Sequence, residues 1–338
     1  ITAPLPLLPR VTDYEYDPSG RFLTKITDND KLISTFDYYW NSGLLKTETD
    51  PYGLSRTYTY DTWFKKLTAK DNQLNITITY SYTKNGKETV VTTTTDVLDG
   101  SASEDTFDDL GRKTKSGTKD INGSFSYVSY LYDIYDRNNK ISEPYFGTTA
   151  SQWNEIKFDI YSRPIENKLF NGRIKTTQYS GLISTFVDGL KSKTIAKNAI
   201  GNTISSDVTI GGKINYSYFA NGNLKQTSYN GVNINMEQDG WGRKNKLIDP
   251  SAGTFIYNSN DFGELKSEVS QNGTVTTTIS RDDNGKPTKK TIIGAGTNSE
   301  TIYGYDPTTK LPSTISYVDK NEPSGTNTIL TTISYDPI

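Results

Sequence analysis

The sequence predicts an all-β protein: consecutive antiparallel β-hairpin repeats wound into a curved sheet or hollow shell. Three observations carry this expectation. A short phrase returns every 20 to 26 residues, a two-residue alternation flanks it, and the composition favours half-buried strands over helices. The phrase first reads Tyr14-Glu15-Tyr16-Asp17-Pro18-Ser19-Gly20-Arg21-Phe22-Leu23. Aligned on its glycine slot, it recurs at Gly43, Phe64, Gly86, Gly111, Asp136 and Ser162. After a blurred stretch it resumes at Gly222, Gly242, Gly263, Gly285 and Thr309. Such periodicity means a stack of small similar units, and a residue present in every unit is there to build the unit.

One unit can be derived from Asp17-Pro18-Ser19-Gly20. Asp first, Pro second and Gly fourth are type I turn preferences, with Gly accepting the positive φ that closes a hairpin through a bulge. Before the turn, Tyr14 and Tyr16 lie two apart and share one strand face; after it, Phe22, Thr24 and Ile26 alternate with Leu23 and Lys25. The unit is strand–turn–strand. Connections between units carry turn residues too, as in Asp50-Pro51-Tyr52-Gly53 and Asp249-Pro250-Ser251-Ala252-Gly253. Ile76 to Tyr82 and Thr274 to Ile279 show the same alternation. No window holds a convincing helical stripe; residues 192–198 come closest and read as strand or loop. Residues 88–106 and 177–213 fit the template poorly. With no linker in sight, residues 1–338 read as a single repeat region, and the closing Tyr335-Asp336-Pro337-Ile338 suggests a longer protein cut inside a repeat.

Composition narrows the function classes. Of 338 residues, 33% are apolar, yet 12% are aromatic, with 24 Tyr against 12 Phe and 4 Trp. Such a chain lines a thin sheet with amphipathic rings rather than filling a thick aliphatic core. The formal net charge is −2 and the cations are scattered, which argues against nucleic acid as a partner. No apolar run approaches the roughly 20 residues of a membrane-spanning helix, and no signal peptide is visible. Histidine and cysteine are absent. That excludes a Ser-His-Asp triad, a Cys-His pair, a His-ligated zinc site and any disulfide.

The phrase Y-x-Y-D-x-x-G-R-L resembles the signature of the Rhs or YD-repeat family. The fullest copy is Tyr14 to Arg21. Phe107 to Arg112, Phe158 to Arg163 and Gln238 to Arg243 keep the Asp, the spacing and the Arg, while Tyr218 to Leu224 keeps the Tyr and Gly. The resemblance implies long hairpins spiralling into a hollow shell. Bacterial toxin complexes and Rhs toxins use such a shell to enclose a toxic domain, and teneurins use one as an adhesion scaffold. Toxin members also carry a capping segment with self-cleavage aspartates, which is not found in this sequence.

The remaining chemistry lies with carboxylates, Tyr and Lys. Asp17, Asp61, Asp108, Asp133, Asp159 and Asp306 occupy one motif place, where a turn-capping role competes with a glycosidase carboxylate pair. Asp96, Asp99, Glu104, Asp105, Asp108 and Asp109, or Asp282-Asp283-Asn284-Gly285, offer oxygen ligands but lack calcium-loop spacing, so solvated turns are the better reading. Arg21, Arg112, Arg163 and Arg243 follow the turn glycine and should pair with the motif Asp or stack on a Tyr ring. Asn75, Asn122, Asn215 and Asn272 begin glycosylation sequons. Trp40, Trp63, Trp153 and Trp241 could form a sugar-stacking surface or pack between hairpins. Tyr16, Tyr60, Tyr82, Tyr132, Tyr218 and Tyr305 share one motif place and should share one face.

The expectation is a structural β-shell segment of a large bacterial protein, secreted or at the cell surface, that encloses or protects a polypeptide cargo such as a toxin domain. The alternative is an adhesin or scaffold binding glycans or a protein through its outer face. Neither reading calls for catalytic residues, a cofactor, a metal or a membrane span. The partners expected are the remaining repeats, a cap and a cargo of the same full-length chain, together with secretion machinery or a surface glycan.

Overall fold

The computed structural model describes residues 9–97, 100–321 and 328–335. Among them lie thirty β-strands and one three-residue 3-10 turn, Gln271–Gly273. The protein is all-β. Asp99 and the final Asp336-Pro337 fall outside the described residues.

Two compact units emerge. One comprises residues 14–26 and 33–194. From Ile33–Tyr39 to Phe125–Tyr132 its strands form an antiparallel meander in which each bonds to the next along the chain. The meander forks at Phe125–Tyr132, whose Ser126–Tyr127 segment pairs with Tyr145–Phe146 and whose Tyr130–Tyr132 end pairs with Asn138–Ser142. It continues through Trp153–Phe158 to Ile183–Asp188. The other unit comprises the described residues of 9–13, 27–32 and 195–335. Its strands from Thr203–Val208 to Thr328–Thr332 follow the same plan.

The aligned slots mark the turns. Gly20, Gly43, Gly111, Gly222, Gly242, Gly263 and Gly285 have positive φ, and so do the slot residues without glycine, Phe64, Asp136 and Ser162. In the Asp108 turn, Gly111 N–H donates to the Asp108 carbonyl and Asp108 N–H to that of Arg112. The pairing register slips by one residue just before many of these turns, as at Thr59/Tyr60, Leu131/Tyr132 and Gly304/Tyr305. That is the bulge a left-handed turn residue introduces.

One expectation needs correction. The left-handed residue of the last turn is Lys310 (φ 61°), not Thr309, because Lys310 N–H closes a longer turn onto the Asp306 carbonyl. Residues 177–213, which fit the repeat phrase poorly, still form strands. They form Ile174–Ser180, Ile183–Asp188, Lys191–Lys197 and Thr203–Val208, with Gly181 and Gly189 in tight left-handed turns.

No thick core forms. Among the described residues Tyr58, at 8% exposure, is the one buried apolar side chain. Its hydroxyl donates to Glu48 at 2.6 Å and Lys66 lies over its ring. Burial, then the Glu48 bond, pushes the phenol up to about 12. The accessible surface is 22163 Å², whereas a globular monomer of 37.7 kDa exposes about 14,000 Å². Most side chains are therefore half-covered, as in a sheet lacking a second layer.

Candidate functional site

The repeated turns form a bonded series. In five of them the motif Asp accepts from the backbone N–H groups two and four residues on, as Asp108 does from Leu110 (3.0 Å) and Arg112 (2.9 Å), whereas Asp306 accepts from those two and three on. Asp61, Asp133, Asp159 and Asp239 do the same. Asp17 caps its turn with bonds to Ser19, Arg21 and Phe22. The Ser19 hydroxyl, then the Phe22 N–H, hold its carboxyl at about 2. The turn-capping reading of these aspartates is correct.

The second carboxylate oxygen takes the motif Arg. Arg112 Nε donates to Asp108 at 2.7 Å, Arg137 to Asp133 at 2.7 Å, Arg163 to Asp159 at 2.8 Å and Arg243 to Asp239 at 2.6 Å. These guanidinium bonds hold Asp108 and Asp133 below the usual carboxylate range. Each Arg also reaches the next repeat. Arg112 lies 4.8 Å from the Tyr132 ring and pairs with Asp136. Arg137 lies 4.7 Å from Phe158 and Arg163 4.3 Å from Tyr179. Arg21 departs from the rule: it bonds Ser19 and lies over Phe22.

The motif tyrosines complete the link. Tyr82 donates its hydroxyl to the Lys66 carbonyl, Tyr132 to Lys113, Tyr218 to Thr203 and Tyr305 to Pro287, at 2.6–3.0 Å. Each acceptor lies two residues past the left-handed slot of an earlier repeat. Tyr16 is 55% exposed, so the six predicted tyrosines are not equivalent. These hydroxyl bonds were not legible in the residues alone, because an alignment registers repeats without showing which backbone atoms meet.

The other candidates disperse. Asp105 pairs with Lys113 and Ser116, Glu104 with Lys115, and Asp96 accepts from the Thr77 N–H. No cluster of three metal-ligating side chains occurs among the described residues. Asp282 caps its own turn by accepting from Lys286 N–H, and Asn284 bonds Asn29 and Asp30. Asn75 and Asn272 occupy left-handed turn positions, Asn122 lies in a turn and Asn215 in a strand. Trp63 and Trp241 project from turns at 81% and 87% exposure, and Trp153 is half-buried.

Trp40 lines a recess of about 630 Å³ with Tyr39, Asn41, Tyr60, Asp61 and Phe64. The Trp40 ring meets Phe22 edge-on at 5.8 Å, and Tyr39 stands perpendicular to Tyr60 at 6.2 Å. Burial, then the neighbouring Tyr39, raises the Tyr60 phenol. No helix among the described residues is long and apolar enough to cross a membrane.

No family model and no curated sequence matches the chain. Among solved structures it is similar to the TcdB2-TccC3 crystal structure, at 13% identity and a TM-score of 0.55, over 95% of this chain and 20% of that one. The TcdB2-TccC3-Cdc42 structure matches at 12% identity and a TM-score of 0.54, over 95% and 22%. The Photorhabdus luminescens Tc holotoxin pore matches at 11% identity and a TM-score of 0.55, over 93% and 21%. The chain thus spans about a fifth of those chains. What it shares with these toxin-complex structures is the fold, the same kind of fold that its Rhs-like motif implies.

Proposed function

We propose that the chain is a wall segment of a large secreted or surface toxin-complex-like protein and carries no catalysis of its own. The observation behind this reading is the thin, half-covered sheet, whose 22163 Å² of accessible surface far exceeds what a self-contained chain of this mass leaves open. A sheet of this kind is stabilised when further repeats and an enclosed polypeptide cover what it exposes. The Asp–Arg–aromatic series supports the same reading, because it joins repeat to repeat and leaves the functional work to the surface as a whole. The fold shared with toxin-complex structures is consistent with it.

Limited proteolysis of the full-length protein tests the proposal. An enclosed segment should survive protease concentrations that digest the same segment expressed alone. Equal digestion of the two would refute cargo enclosure.

A further inference from the structure

Two contacts recur between repeats, and Tyr60 has neither; Tyr218, which follows the neutral Asn202, lacks the cation but keeps the hydroxyl bond. The residue after the left-handed slot places a cation on the following aromatic ring: Lys65 on Tyr82, Arg112 on Tyr132, Arg137 on Phe158, Arg163 on Tyr179 and Lys286 on Tyr305. The next residue along supplies the carbonyl that takes the ring's hydroxyl where there is one. Before Tyr60 the slot is Gly43 and the residue after it is Leu44, which has no charge to give. Among the described residues, no cation lies over Tyr60 and no group accepts its hydroxyl.

Asp61 lacks the arginine that Asp108, Asp133, Asp159 and Asp239 carry. Its Oδ1 caps the turn as in other repeats. Its Oδ2 has no guanidinium, because the Arg place holds Lys65, which lies over Tyr82. Phe64 occupies the left-handed slot at φ 65°, a conformation costly for a bulky side chain, and its ring helps to line the recess. A free carboxylate oxygen, a free phenol and a half-exposed Trp40 thus meet in one recess, whose wall also holds Lys46, itself paired with Asp37 at 2.9 Å. Groups left short of a partner in one recess leave room for a partner from elsewhere.

We propose that this recess binds an organic cation, the guanidinium or ammonium head of a basic side chain on a polypeptide partner. Such a head would lie against the Trp40 and Tyr60 rings and pair with Asp61, as the chain's own Arg and Lys do in other repeats. The inference holds whether or not the sheet encloses a cargo.

The test is fluorine NMR of the protein labelled with 5-fluorotryptophan, whose four resonances are assigned through Trp→Phe variants. Arginine ethyl ester should shift the Trp40 resonance saturably, while equal sodium chloride should not. Asp61→Asn keeps the turn cap, as Asn260 does naturally, and should weaken binding roughly tenfold. Leu44→Arg puts a cation at the place that Lys65 and Arg112 hold in other repeats and should abolish it. Tyr60→Phe, which removes only the phenol oxygen, should weaken it without unfolding the protein. The proposal is overturned by the absence of a saturable Trp40 shift, by undiminished binding in Leu44→Arg, or by maltose acting in place of the ester. Tetramethylammonium binding as tightly as the ester would assign the recess to quaternary ammonium groups and overturn the peptide side chain.

Discussion

Tyr132 donates its hydroxyl to the backbone carbonyl of Lys113 at 2.8 Å while its ring carries Arg112 at 4.8 Å, so one side chain joins two repeats by both ends. The bond satisfies a carbonyl beside the slipped register, and the stack fixes the guanidinium that also holds Asp108.

Tyr132→Phe should therefore cost about 1 kcal/mol, the net worth of one hydrogen bond. Tyr132→Ala should cost about 3 kcal/mol, the low end for large aromatic deletions, because the ring is half-buried. Urea midpoints of the two variants check the order. Equal midpoints for Tyr132→Phe and the parent would show the hydroxyl bond to be worthless.

Gly111 has φ 77° and open space where a Cβ would stand, so Gly111→Ala isolates backbone strain. It should destabilise by about 1 kcal/mol. Phe64→Gly, at a slot with φ 65°, should be neutral or stabilising by about 0.5–1 kcal/mol, since the ring is largely exposed. Thermal unfolding of both variants decides; a strongly destabilised Phe64→Gly would mean that the ring packs more than its exposure indicates.

Glu264 receives Arg10 in two bonds, at 2.8 and 3.0 Å, and Arg10 lies 4.1 Å from the Phe262 ring. Those bonds, opposed by burial, hold the Glu264 carboxyl at about 2 against 4.5 for the free group. A carboxyl depressed on folding stabilises above its unfolded pKa and loses that contribution as pH falls through the folded value. The loss should run from about pH 4.5 downward to about pH 2. Arg10→Met should flatten this part of the melting temperature against pH curve and leave the neutral-pH signal of distant repeats unchanged. An identical acid slope in parent and variant would remove Glu264 from the account.

Arg137 forks Asp133, lies over Phe158 and bonds the Asp159 carbonyl. Arg137→Lys keeps the charge but loses the fork and the planar stack. Amide exchange in the Asp159–Arg163 turn should accelerate while turns two repeats away keep their rates. Uniform acceleration along the chain would point to global destabilisation instead.

Much of the architecture was legible in the sequence because turn chemistry is local. Asp17-Pro18-Ser19-Gly20 announces its own conformation, and alignment carried the positive φ to Phe64, Asp136 and Ser162, where no glycine signals it. Turn length was not legible. The turn from Asp306 to Lys310 is one residue longer than the template, which displaced the slot from Thr309. The blurred 177–213 stretch was unreadable because the turns at Gly181 and Gly189 are two residues long and carry no capping Asp: Asp188, beside Gly189, pairs with Arg173 instead. The recess escaped for another reason: Leu44 is unremarkable until Arg112 and its counterparts are seen lying on the next repeat's ring.

The excess surface also has a calorimetric meaning. An unfolded chain of this mass exposes about 55,000 Å², so with 22163 Å² left open the fold removes roughly a fifth less surface from water than a globular monomer would. Heat-capacity change and denaturant sensitivity both scale with that difference. The isolated chain should melt over a wide temperature span, with shallow urea transitions and a flat stability curve. Coverage of its faces would appear first as a sharper transition, before any rise in its midpoint.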